Sequence, residues 1–306
     1  MTQPVVSICI PTYGRVEILR KTLDSIFAQN VDSTLYEICI SDNSPTDETK
    51  EMLNAYYSDR SNICYAKSTC EGYYNSIESL KLGKGKLLKL HNNYSKFKNN
   101  TFEKFVKRIA DYENTKPVMF FSFGAVKLDQ ECTDFASFDS FLNAISYYST
   151  WSTSFGIWKD DFDEIMKAPA EPDKMFPHTS LLFALCDKSE YVVDNALYFE
   201  NQDVGKKGGY NLPQTFGTRY LGMCESLLCK NKITEQTLEK IKAGILQFIA
   251  DWYVNVLYFS NKYTFSYENW EAIVTDLYGI SGVDFIKRNA RKKKIKSLLR
   301  KVLKKY

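Results

Sequence analysis

Three apolar, strand-like runs in the first third of this 306-residue chain end in short polar segments whose side chains are of ligand-binding type. "VVSICI" runs into Pro11–Thr12–Tyr13, "LYEICI" into Ser41–Asp42–Asn43–Ser44, and "LLKL" into His91–Asn92–Asn93. An Asp at a strand end accepts hydrogen bonds from a base N–H or a ribose hydroxyl. "DNSPTD" suits a plain turn equally well, so Asp42 alone decides nothing. His91–Asn92–Asn93 holds three polar side chains and no carboxylate, which fits either a ligand site or a turn closing the strand. The second of the two histidines, His178, lies in "EPDKMFPHTSLLFAL" with Glu171 and Asp173 just upstream. "KKGGYN" (206–211) is either a glycine loop open to phosphate or a simple turn.

The elements that must carry these residues alternate between strand and helix. "VVSICIPTY" (5–13) is rich in β-formers and alternates poorly, as a parallel strand buried on both faces does. "VEILRKTLDSIFAQ" (16–29) puts Ile18, Leu19, Leu23, Ile26 and Phe27 on one helical face. A strand over 35–44 and a helix over 46–58 follow, the latter with Thr46 as candidate N-cap and acids in its first turn. A short strand at 62–66, a helix at 73–82, the strand ending at His91, the helix "TFEKFVKRIADY" and the strand "PVMFFSFGAV" continue the pattern. This is the signature of βαβ units and a mostly parallel sheet flanked by helices. In such sheets ligands bind beyond the carboxyl ends of the strands, which puts the three polar segments on one rim. Past residue 130 the alternation loosens, with loops leading into a helix from Thr179. A strongly periodic helix covers 234–259.

Composition bounds the class. At 44% hydrophobic and 25% charged residues the chain is globular rather than disordered. Eight cysteines form no C-x-x-C pair, and several lie in strand-like runs, as buried reduced thiols of a cytosolic protein do. The N-terminal residues lack the basic-then-apolar pattern of a signal peptide, and no window reaches the ~18–20 apolar residues of a membrane span. The expected location is therefore cytoplasmic. The net charge of +3 hides an asymmetry: Lys287–Lys305 holds 11 Lys/Arg and no acid, leaving 29 basic against 37 acidic residues elsewhere.

Taken together, "VSICIPTYGRVEILRKTLDSIFAQ", "YEICISDNSPTDET" and "GYYNSIESLKLGKGKLLKLHNN" resemble the family 2 glycosyltransferases of the GT-A fold, in order and spacing, over residues 4–125. Within that family the chain is similar to bacterial O-antigen and capsule enzymes of the abequosyltransferase-like kind, and "KKGGYNLPQTFGTRYL" adds a weaker likeness. The resemblance implies a GT-A, Rossmann-like α/β catalytic domain over 1–220. Its nucleotide-sugar half would cover 1–125 and its acceptor half 126–220, with a helical extension over 221–284. It implies that Pro11, Thr12 and Tyr13 line the nucleotide pocket, that Asp42 binds the base, and that Asn75 lies near the nucleotide. At the end of the third long strand the family carries an Asp-x-Asp motif whose carboxylates hold Mg²⁺ or Mn²⁺ on the donor diphosphate; here the residues are His91, Asn92 and Asn93. Either a metal is held through His91 and Asn93, neither of which supplies negative charge, or basic groups such as Lys89 and Lys96 take its place. Inverting members carry a carboxylate base near the start of the helix where this chain has Pro177–His178. By that likeness His178 is the candidate base, with Asp173 and Glu171 as alternatives; capping the helix or stacking on a sugar is the competing role for His178.

The tail, 285–306, reads as an amphipathic helix with Ile295, Leu298, Leu299, Val302, Leu303 and Tyr306 on one face and cations on the other. That pattern suits a helix lying on an anionic membrane; a solvated charge run is the alternative. Nucleic acid is not expected, because the acidic body lacks a broad basic face. The resulting expectation is sugar transfer, with inversion, from a nucleotide sugar to a lipid-linked bacterial surface glycan at the inner face of the cell membrane. The competing expectation is a non-catalytic relative that binds a nucleotide sugar or a partner enzyme.

Overall fold

The protein is described by a computed structural model over residues 3–168, 171–205, 207–258 and 262–303, with side chains of the last helix described as far as Ile295. It divides into two compact units between Asp203 and Val204. The first unit runs β1 (Val6–Thr12), α1 (Val16–Phe27), β2 (Tyr36–Asp42), α2 (Glu48–Tyr56), β3 (Ile63–Lys67), α3 (Asn75–Lys81), β4 (Leu87–Leu90), β5 (Ser95–Phe97), α4 (Phe102–Asp111) and β6 (Val118–Phe121). It continues with β7 (Cys132–Phe135), α5 (Phe138–Ile145), β8 (Gly156–Trp158), α6 (Lys159–Ile165), α7 (Pro177–Ala184), β9 (Tyr191–Asp194) and β10 (Phe199–Asn201).

Five strands form the main sheet in the order β3-β2-β1-β4-β8. The first four are parallel, and β8 closes the edge antiparallel to β4. β1 sits in the centre, where Val6, Ile8, Cys9 and Ile10 are fully buried, which explains its unbroken apolar run. Register then decides the rim. Thr12 pairs with Asp42 and Asp42 with Lys67, while Cys9 pairs with Leu90, so His91 to Asn93 emerge level with the end of β1. A three-stranded sheet, β6-β9-β7, and the β10-β5 pair complete the unit. The mostly parallel α/β architecture is as the sequence implies.

Two details differ. The stretch expected as loop after residue 148 contains β8 and α6. Phe155, Ile157 and Trp158 are buried there, but three residues of strand are too few to show a period. The run "PVMFFSFGAV" keeps only four strand residues, because Phe123 (φ 37°) and Gly124 (φ 82°) turn the chain out of the sheet.

The second unit holds β11 (Lys207–Asn211), a π-helical turn (Pro213–Tyr220) running into α8 (Leu221–Cys229), α9 (Glu235–Tyr258), β12 (Tyr263–Ser266) and α10 (Trp270–Leu303). The domain boundary expected at 220 thus differs from the division at 203/204, since 204–220 pack with the helices. Of "KKGGYN", Lys207–Asn211 are strand rather than phosphate loop: a Cβ at Gly208 (φ 139°) would stand 2.4 Å from the Phe265 nitrogen, so glycine there permits the close approach of β12. Nor is the basic tail a separate helix beginning at 285. It continues α10, which bends at Gly279 (φ 67°) and buries Val283, Ile286 and Ala290. Asn289 and Lys293 reach Asp251 on α9. Ile295 is 58% exposed; the side chains of Leu298, Leu299, Val302, Leu303 and Tyr306 lie outside the described residues.

Candidate functional site

The rim is built by strand ends that hydrogen-bond to one another. The Thr12 hydroxyl accepts from Asn93 Nδ2 at 2.9 Å, joining the end of β1 to the segment after β4. Asn93 O in turn accepts from Thr22 on α1 at 2.8 Å. Asn75, at the start of α3, is 3% exposed. Its Nδ2 donates to Ser41 O (2.8 Å), Asn43 Oδ1 (3.1 Å) and Thr12 O (3.3 Å), and its Oδ1 accepts from Ser41 Oγ at 2.7 Å. One amide thereby fastens β1, β2 and α3 together where a ligand would sit. Pro11 is half-buried within β1, and Tyr13 is 65% exposed just past it.

Asp42 is fully buried. One carboxylate oxygen accepts from the Ser44 amide at 2.9 Å and from the Ser44 hydroxyl; the other accepts from Tyr65 at 3.2 Å and lies 3.5 Å from Lys67. Burial raises the carboxyl's pKa, but the Ser44 bonds together with Lys67 and Tyr65 outweigh it, and the net shift is downward. A base reaches this carboxylate only if Ser44, Tyr65 or Lys67 gives up its place. Beside β3, a cavity of about 380 Å³ is lined by Ser41, Lys67, Ser68, Cys70, Glu78 and Lys81 among others. The sequence carried no signal for it, because its walls come from a strand end, a loop and the far end of α3.

The end of β4 departs from expectation. His91 is fully buried, stacked on Phe97 (centroids 5.2 Å, 16°) and edge-on to Phe199 (5.1 Å). Its Nε2–H donates to Ser95 O at 2.6 Å, and Nδ1 is buried without a partner. Burial and the neighbouring Lys89 charge push the ring's pKa down to about 3, so it is neutral. Asn92 is engaged on three sides, with Thr153 Oγ1 (3.1 Å), Ser152 Oγ (2.7 Å) and Tyr94 OH (3.0 Å). Asn93 spends its amide on Thr12. Among the described residues no three His, Cys, Asp or Glu side chains come together in metal-holding geometry. A ring locked into an aromatic stack and two bonded carboxamides do not make a donor set for Mg²⁺ or Mn²⁺, which favour carboxylates. The His91–Asn93 ligand pair is therefore corrected: His91 belongs to the core.

Of the basic substitutes, Lys89 is fully buried. Its ammonium donates to Leu90 O (2.8 Å) and Thr153 O beneath the rings of Phe121 and Phe199, and burial drives its pKa well down. Lys96 pairs with Glu200 at 3.0 Å. Neither is a cation available at the rim.

His178 occupies the first turn of α7 and is 6% exposed. Its Nε2–H donates to Thr150 O at 2.9 Å, and burial lowers its pKa to about 4, which makes it a weak proton acceptor. Next to it, Thr179 Oγ1 donates to Ser149 O at 3.1 Å. The 149–153 segment is thus tied to α7 by His178 and Thr179 and to β4 by Lys89 and Asn92, a strap that the sequence did not reveal. Asp173 Oδ1 accepts from the amides of Met175 (2.8 Å) and Phe176 (2.9 Å), which sets the entry into α7. The structure does not join His178 and Asp173 by a hydrogen bond, and Glu171 is exposed.

Residues 7–115, β1 through α4, match the family model of glycosyl transferase family 2. This segment belongs to that family. The chain is 48% identical over 52 residues to abequosyltransferase RfbV of Salmonella typhimurium, a match covering 17% of this chain and 16% of that protein. The aligned stretch is thus about a sixth of the relative's length. Among solved structures, S. aureus TarS in complex with UDP superposes with a TM-score of 0.55 at 16% identity, covering 83% of this chain and 72% of that one. Mannosyltransferase PcManGT from Pyrobaculum calidifontis, in complex with GDP-Man and Mn²⁺, gives 0.51 at 14% identity, covering 92% and 87%. At such identities these two neighbours show a shared fold alone.

Proposed function

We propose that this family 2 chain is a glycosyltransferase that moves a sugar from a nucleotide-sugar donor to an acceptor hydroxyl of a bacterial surface glycan, such as O-antigen or capsule, with inversion. The observation that carries the reading is the strand-end rim of Thr12, Asp42, Asn75 and Asn93, which lies wholly inside the family 2 segment. The neighbours' titles name UDP and GDP-Man as bound molecules, which supports a nucleotide-sugar donor here. The abequosyltransferase likeness supports the glycan acceptor. In the reaction the acceptor oxygen bonds to the anomeric carbon as the bond from that carbon to the diphosphate breaks, and the electron pair leaves with the diphosphate. The hydroxyl proton goes to a base at the entry into α7, the neutral ring of His178 or the Asp173 carboxylate just before it.

A lipid-linked acceptor would suit the basic tail, whose cations each contribute about 1 kcal/mol beside an anionic surface. No described helix is long and apolar enough to cross a membrane, so attachment would be peripheral, at the cytoplasmic face. The carboxylate-free end of β4 favours a second reading, a relative that binds a nucleotide sugar without turning it over. A panel of UDP-, GDP-, CDP- and dTDP-sugars, offered with a glycan acceptor, separates the two. Release of nucleoside diphosphate supports the enzyme; binding without release supports the relative.

A further inference from the structure

Departure of a diphosphate requires its developing charge to be met, and the end of β4 offers no metal donor set, while Lys89 and Lys96 are engaged elsewhere. Lys67 is likewise committed to Asp42 and Asp47, at 3.5 Å each. Arg15 is different. It stands three residues past Thr12 and is exposed, and among the described residues no carboxylate pairs with it. Its backbone is held left-handed (φ 60°, ψ 40°) as the residue that opens α1, directly after Gly14 (φ 59°), whose N–H donates to Ser44 Oγ at 2.6 Å. A non-glycine residue in that region is strained, so the turn places this side chain against its backbone preference. The charge of Arg15 acts on Tyr73, before α3, and on Tyr94, just past β4, opposing the rise that burial gives each phenol. Tyr94 OH in turn meets Asn92 at 3.0 Å. Arg15 thus follows the end of β1 at the rim, on the turn that Gly14 pins to Ser44.

We propose that Arg15 is the cation that binds the donor's diphosphate and takes up its charge as it leaves, in place of a divalent metal. This rests on the glycosyltransferase reading. When the anomeric C–O bond breaks, the pair passes to the diphosphate oxygen, whose charge the planar guanidinium meets through two N–H groups. No electron transfer or further reactant is involved.

The test uses the full chain and four probes, UDP, GDP, CDP and dTDP, each beside its nucleoside, by calorimetry in EDTA and in Mn²⁺. The expected result is that the best-bound diphosphate has the same affinity in both buffers. Arg15→Gln weakens it about 10-fold or more, the loss of a charge-assisted pair, while nucleoside affinity is unchanged. Arg15→Lys recovers part of the loss. Both variants keep a side chain in the left-handed position, so the turn is not relieved. Binding of the wild type that requires Mn²⁺ overturns the inference, as does an Arg15→Gln variant that binds diphosphate normally or loses nucleoside affinity equally. If the wild type binds none of the eight probes, the glycosyltransferase reading falls with it.

Discussion

Asn75→Ala should loosen the rim without dismantling the sheet. The substitution removes a buried carboxamide that donates to Ser41 O and to Asn43 Oδ1 or Thr12 O, and accepts from Ser41 Oγ. A nitrogen with two hydrogens and one accepting oxygen amounts to three net bonds. At about 0.5–1.5 kcal/mol each, the loss comes to roughly 2–4 kcal/mol. Ser41 Oγ and Ser41 O are left in a buried setting, which pushes the cost toward the upper end. Because the bonds converge from the ends of β1 and β2 onto α3, nucleoside affinity should fall together with stability. Urea melts followed by Trp and Tyr fluorescence give the stability change, and calorimetry with the best-bound nucleoside gives the affinity. Asn75→Asp is the sharper companion: it keeps the acceptor for Ser41 Oγ but loses both donors and buries a charge, so it should be at least as damaging. A folded Asn75→Ala protein with wild-type stability would refute the view that this amide fastens the rim.

Both histidines are held neutral by burial, with pKa values near 3 for His91 and near 4 for His178. The unfolded chain binds their protons first, so stability is full above about pH 6.5 and falls as pH drops toward 4, by a few kcal/mol per ring. His178→Gln should flatten that slope in pH-dependent urea melts; an unchanged slope would contradict the burial argument. The Asp42 carboxyl is depressed on folding, so its contribution is present above the unfolded value near 4 and is lost as pH falls through the lower folded value. Asp42→Asn should therefore be destabilised at pH 7 and show less acid loss below pH 4 in the same melts. Cutting after Asp284 would strip Ile286 and Ala290 from the second unit, so the informative truncation follows Ile295. It removes five of the 11 tail cations and should weaken binding to anionic vesicles 100-fold or more at low salt, read by co-sedimentation, while nucleotide affinity stays as in the full chain. Equal sedimentation of both chains would remove the tail from membrane binding.

The sheet was legible because burial on both faces leaves a continuous apolar run, as in β1 and β2, and because crossover helices such as α1 repeat a clear 3.6 period. The rim was legible for the same reason: Thr12, Asp42 and Asn93 follow directly from where those runs stop. What the sequence could not convey is which way a side chain turns after the strand ends. His91 looks like a ligand in one dimension, yet it continues the buried run of β4 and stacks on Phe97, 82 positions after Cys9 but one hydrogen bond away from its carbonyl on β1. Asp42 reads as an open acceptor, but Ser44, two residues on, folds back onto it. The strap at 149–153 has no periodicity, because it is held by tertiary bonds to Asn92 and His178 rather than by its own pattern. Arg15 hid inside "TYGR", where only the two successive left-handed residues single it out.

The most direct test of the central claim is a crystal structure of the full chain with whichever of the four nucleoside diphosphates it binds best. The account predicts electron density for the nucleotide at the rim formed by Thr12, Asn75 and Asn93, with the diphosphate against Arg15. A nucleotide bound away from these strand ends would contradict it.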